Sequence, residues 1–97
     1  MQFLSVSRRR SDVFTEAQFA EKTPAEWQRA RTLYAEGAIR QLWARGDMPG
    51  ACILWEAADE QEARQLLGSL PMAQAGMLEI LSFVPLKPYP GFSAGNR

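Results

Sequence analysis

The chain has 97 residues, 46% of them hydrophobic, and its 11 basic and 11 acidic side chains cancel. A length of this order makes one domain, and balanced charge gives no long-range field to gather nucleic acid or an anionic membrane surface. One Cys allows no intrachain disulfide, so a reducing cytoplasm is the expected compartment, and without His a typical zinc or haem site is not expected.

Met1 to Ser7 reads as a strand, with Gln2, Leu4 and Val6 alternating against Phe3, Ser5 and Ser7. Arg8 to Asp12 follows as a polar connection. Its triple arginine is either a solvated strand end or a contact for phosphate or a partner. Val13 to Glu21 carries a short helical period through Val13, Phe14, Ala17 and Phe19. Thr23-Pro24-Ala25-Glu26 predicts the start of the main helix: Thr23 as cap, Pro24 in the first helical position, Glu26 three residues after the cap. Trp27, Ala30, Leu33, Tyr34 and Ala38 then recur at spacings of three and four, and Gly37 is the natural stop.

Ala38 to Arg45 predicts a second strand. Gly46-Asp47-Met48-Pro49-Gly50 is a turn, and Ala51 to Glu56 is a third strand antiparallel to the second. Cys52 lies in that apolar run and reads as a small packed hydrophobe. Asp59 with Glu62 repeats the capping pattern and opens a helix through Ala63, Leu66, Leu67 and Leu70, which Pro71 closes. Met72 to Gly76 connects to a fourth strand, Met77 to Val84, and Pro85, Pro88 and Pro90 make an extended tail outside the sheet interior. No apolar run approaches the ~20 residues that span a bilayer, and the first residues lack the basic and apolar regions of a signal peptide.

The order β-α-β-β-α-β predicts an α+β, ferredoxin-like fold: an antiparallel sheet with two helices on one face. The other face carries apolar side chains whichever parity is chosen, and left in water it would be too large a patch. A second copy is therefore expected to cover it, giving a homodimer.

Gly37-Ala38-Ile39-Arg40-Gln41-Leu42-Trp43, together with Glu26, Leu33, Glu36, Gly46, Leu70-Pro71, Glu79-Ile80 and Lys87-Pro88, resembles the muconolactone isomerase family. The resemblance implies a dimeric α+β barrel, possible higher rings, a single domain over residues 1–92, and a flexible tail at 93–97. It also implies a cofactor-free, metal-free enzyme of aromatic catabolism that shifts a C=C bond in an unsaturated lactone carboxylate. A related branch eliminates chloride. The chain departs from the family where Met72-Ala73-Gln74-Ala75 replaces an aromatic and a proline, where Lys87 replaces a His, and where Trp27 replaces a Lys.

Such chemistry needs a base beside a carbonyl and a group to steady the dienolate. Glu26 is the expected base, its other reading being a capping-box residue. Arg40 is the expected anion holder, its other reading a salt bridge to Glu36, Glu56 or Glu79. Trp27, Tyr34 and Trp43 are expected to bind substrate or else to pack in the core or a dimer interface. Glu79 is substrate-binding or catalytic, paired with an Arg, or wet at an edge. On a regular strand, Arg40 and Trp43 would face opposite sides of the sheet. Two rival functions remain at this point. One is a non-catalytic dimeric barrel that binds a small ligand, with Arg40 paired and the pocket filled. The other is a cofactor-independent oxygenase with a larger aromatic pocket.

Overall fold

A computed structural model describes residues 1–92, and the expected tail at 93–97 lies outside the described residues. Four strands, β1 (Gln2–Arg9), β2 (Ile39–Ala44), β3 (Ala51–Glu56) and β4 (Leu78–Leu86), form one antiparallel sheet in the order β2-β3-β1-β4. Helices α1 (Glu16–Ala35), α2 (Glu60–Gly68) and α3 (Pro71–Gln74) complete the α+β architecture, and one 3-10 turn follows at Pro90–Phe92. No helix among the described residues is long and apolar enough to cross a membrane.

Phe3 and Trp55 pair across β1 and β3, and Ile39 pairs with Trp55 from β2. With Leu33 of α1 and Ala63 and Leu67 of α2, these side chains make the main core. This parity turns Phe3, Ser5 and Ser7 towards the helices, all three buried. Leu4, Val6 and Leu54 lie half-buried on the opposite face. A second cluster of Phe19, Met72 and Met77 ties the start of α1 to α3 and to the residue preceding β4.

The main helix starts earlier than the Thr23-Pro24 signal predicts. Thr15 is the cap: its hydroxyl accepts from the Gln18 N–H at 3.2 Å, and the Gln18 side chain accepts from the Thr15 N–H at 2.8 Å. The short period at Val13–Glu21 is therefore the first part of one 20-residue helix, with Pro24 inside it. Thr23 donates its hydroxyl to the Phe19 carbonyl at 2.8 Å and caps nothing. Burial of Phe19 at one end and Leu33 at the other favours continuing the helix across the proline. α1 stops at Gly37, whose φ of 85° is open to glycine at little cost.

Two further boundaries and one register differ. Pro71 opens α3 rather than closing α2, which ends at Gly68 with Ser69 as its cap. β4 runs through Pro85 to Leu86. It can do so because β4 is an edge strand, where a missing N–H breaks no ladder bond. Finally, β2 shifts register between Ile39 and Gln41. The irregularity puts Ile39 and Leu42, opposite Trp55 and Ile53, on the helix side, so Arg40 and Trp43 do not alternate as they would on a regular strand.

Candidate active site

A cavity of about 220 Å³ lies between the helix-facing side of the sheet and α1. Ser5, Ser7, Ala51 and Ile53 make its floor, Glu26, Trp27 and Ala30 of α1 form one wall, and Leu42 of β2 forms another, with its neighbour Trp43, which the register sets opposite Cys52, also lining the space. Leu70 and Met72 line it from the α2–α3 junction, and Leu78 and Ile80 from β4. Arg9, the last residue of β1, also lines it.

The small floor follows from the β1 sequence. Ser5 and Ser7 sit on the same face as Phe3 but fill far less volume, so the core stops where the serines begin. Both hydroxyls are occupied: Ser5 Oγ accepts from Trp55 Nε1 at 2.9 Å, and Ser7 Oγ accepts from the Ala51 N–H at 3.3 Å while donating to the Ala51 carbonyl at 3.4 Å. Gly50 also borders the space, because a Cβ there would meet the Ser7 carbonyl oxygen at 2.1 Å. Arg45 braces the same corner. Its guanidinium grips Asp47 at 3.0 and 2.8 Å and donates to the Ser7 carbonyl at 3.2 Å.

Glu26 is the one carboxylate lining the cavity. It is half-buried, and its Oε1 accepts from the Met72 N–H at 2.8 Å, while the described residues give Oε2 no hydrogen bond. Burial raises its pKa above the usual carboxylate range, and the Met72 N–H and the Arg9 charge act in the opposite direction. Arg9 rests over the Phe19 ring, 5.3 Å from its centroid. Among the described residues it has no ion pair. Its neighbours are engaged: Arg8 with Glu79 and Asp12, and Arg10 with the Gly76 carbonyl at 3.1 Å.

The structure brings Glu26, Trp27 and Trp43 to one cavity. Tyr34 lies in an adjoining groove with Trp27, Arg31 and Leu42. Trp27 and Tyr34 are 60% and 63% exposed, so they stand at the mouth rather than in the core. Arg40 and Glu79 lie elsewhere. Arg40 is exposed and 3.8 Å from Glu56, and Glu79 is paired with Arg8. Arg9, Ser5 and Ser7 are absent from the sequence-based site. The signal that could find them is the run Phe3-Ser5-Ser7-Arg9, every second residue of a strand anchored by a core phenylalanine. Reading Arg8–Arg10 as a loop ended that strand too soon.

No curated protein sequence matches the chain. Among solved structures, 5-chloro-2-hydroxyhydroquinone dehydrochlorinase from Burkholderia phenoliruptrix AC1100, in complex with 2,5-dihydroxybenzoquinone, is similar in fold, with a TM-score of 0.70 at 18% identity over 90% of this chain and 94% of that one. The profile of the muconolactone delta-isomerase family matches residues 1–91, and by that match across nearly its whole length the chain belongs to this family.

Proposed function

We propose that this protein is a cofactor-free isomerase that moves a double bond within a small unsaturated lactone carboxylate, using Glu26 as the base. One observation carries the reading: a lone carboxylate inside an otherwise largely apolar cavity, half-desolvated and anchored through one oxygen only. Oε2 takes a proton from the carbon beside the lactone carbonyl. Electrons move into a dienolate, and the Glu26 carboxyl returns the proton at the far end of the conjugated system. Atoms and charge balance without a redox partner. Raising the carboxyl pKa by burial brings it nearer to that of an acidified C–H and makes it a better base than a solvated carboxylate.

The rival readings fit less well. A ligand-binding barrel without chemistry calls for a filled pocket and no desolvated carboxylate. Arg40 is paired as that reading requires, but the cavity is open and Glu26 lies in its wall. An oxygenase acting on a bulky aromatic calls for more than about 220 Å³. Elimination of chloride from a related lactone would begin with the same proton abstraction, and the solved dehydrochlorinase of this fold makes it the second reaction to assay. We further propose that the protein acts as a homodimer.

The test follows muconolactone by ultraviolet absorbance with wild-type protein and Glu26→Gln. Turnover by wild type, reduced about 10²–10⁴-fold in the variant, supports the reading. Equal turnover in both removes Glu26 from the mechanism. Absence of turnover in wild type overturns the double-bond shift.

A further inference from the structure

We infer that Arg9, and not Arg40, is the residue that holds the substrate's anionic group and selects acids over neutral lactones. The inference rests on reading the cavity as the reaction site and adds to it the residue that sets specificity.

Four observations converge. Arg9 is the one arginine lining the cavity, on the floor strand that also supplies Ser5 and Ser7. Its guanidinium makes no contact ion pair among the described residues, whereas Arg8, Arg40, Arg45 and Arg64 each make one. Its guanidinium carbon lies over the Phe19 ring, 5.3 Å from the centroid, a contact that uses none of its N–H donors, and a guanidinium can offer two of these to one carboxylate. Finally, the cavity holds Glu26. An ionised base and an anionic substrate in one small apolar space repel each other unless a cation is present, and Arg9 is the lining residue that supplies it. Arg40 cannot take this part from its position: it is exposed, set against Glu56, and outside the lining.

The test is binding, measured by calorimetry with a probe that cannot react: the saturated lactone acetate, compared with its neutral methyl ester. Wild-type protein is expected to bind the acid at least tenfold more tightly than the ester. Arg9→Met should lose at least tenfold in affinity for the acid and no longer distinguish the two, with its circular dichroism unchanged. Arg9→Lys, which keeps the charge but not the fork, should fall between. Arg40→Ala should bind as wild type does. Acid binding unchanged in both Arg9 variants, loss on Arg40→Ala, or no preference for the acid in wild type overturns the inference. Because the probe is inert, this outcome is separate from turnover. A protein that selects the acid through Arg9 but does not turn over muconolactone loses the isomerase reading and keeps this one.

Discussion

Glu26 illustrates how one residue ties stability and activity to pH in opposite directions. Burial raises its folded-state pKa above the ordinary value. The stability tied to its neutral form is therefore fully present at pH below the unfolded-state pKa and is lost as pH rises through the folded-state pKa. Glu26→Gln removes that dependence, and the amide oxygen can still accept from the Met72 N–H. Its melting temperature relative to wild type should therefore be higher at pH 8 than at pH 4, as thermal melts at both values will show. In the proposed mechanism catalysis runs the other way, because a base must be ionised. The acidic limb of kcat/KM is expected above the usual carboxylate range, and Arg9→Met should move it higher still, because the Arg9 charge lowers the Glu26 pKa. Ser5 makes a separate point. It is buried and accepts the indole N–H of the fully buried Trp55. Ser5→Ala leaves that donor without a partner and should cost about 1–3 kcal/mol, measured by urea unfolding.

At the scale of elements, the instructive case is α1. Thr23-Pro24-Ala25-Glu26 has every mark of a helix start, yet the working cap is Thr15 with Gln18. The two threonines give a direct comparison. Thr15→Ala should cost about 1 kcal/mol by denaturant unfolding. Thr23→Ala, which loses only a back-bond to the Phe19 carbonyl, should stay within about 0.5 kcal/mol of wild type. Local pattern could not separate these because Thr23 and Pro24 satisfy the capping rules on their own, whereas tertiary burial of Phe19 against Met72 and Met77 holds the extra turns in place. The same limit governed the site. The place of Glu26 in the cavity wall was legible through the family resemblance, since the capping position that also singled it out goes with the Thr23 start. Arg9 was not, because whether a charged residue after Ser7 belongs to a strand or a loop depends on its pairing with Leu78 of β4, a contact nearly 70 positions along the chain. Arg40 looked like the stronger anion holder because a family resemblance pointed at it, whereas it follows the inward-facing Ile39 on an edge strand whose other residues are all exposed. Element order and the antiparallel sheet were legible, since they follow from punctuation by Gly and Pro and from hydrophobic period.

At the scale of the whole molecule, the sheet has one covered face and one bare one. Across the bare face the register lines up Leu54, Leu4 and Val84 in one row, and Trp43, Cys52, Val6 and Ser82 in the next. Val84 and Leu86 are 44% and 38% exposed. Gln2 and Glu56 pair at one end of this surface, so a largely apolar face meets a polar edge there, as interfaces between copies do. A face-to-face contact of two such sheets removes these rows from water together and needs no further element. We expect light scattering to show a dimer at micromolar concentration, with a melting temperature that rises with protein concentration because folding and association are linked. Leu54→Arg places a charge in the central row opposite Leu4. It should give a monomer with near-native circular dichroism, since the helix-side core of Phe3, Trp55 and Leu33 is untouched. A wild-type monomer, or a dimer that survives Leu54→Arg unchanged, would mean that the sheet face is not the contact. The cavity opens on the other side of the sheet, against α1, so each protomer would keep its own Glu26 and Arg9. Turnover per protomer in the Leu54→Arg monomer should then fall only as far as the fold loosens.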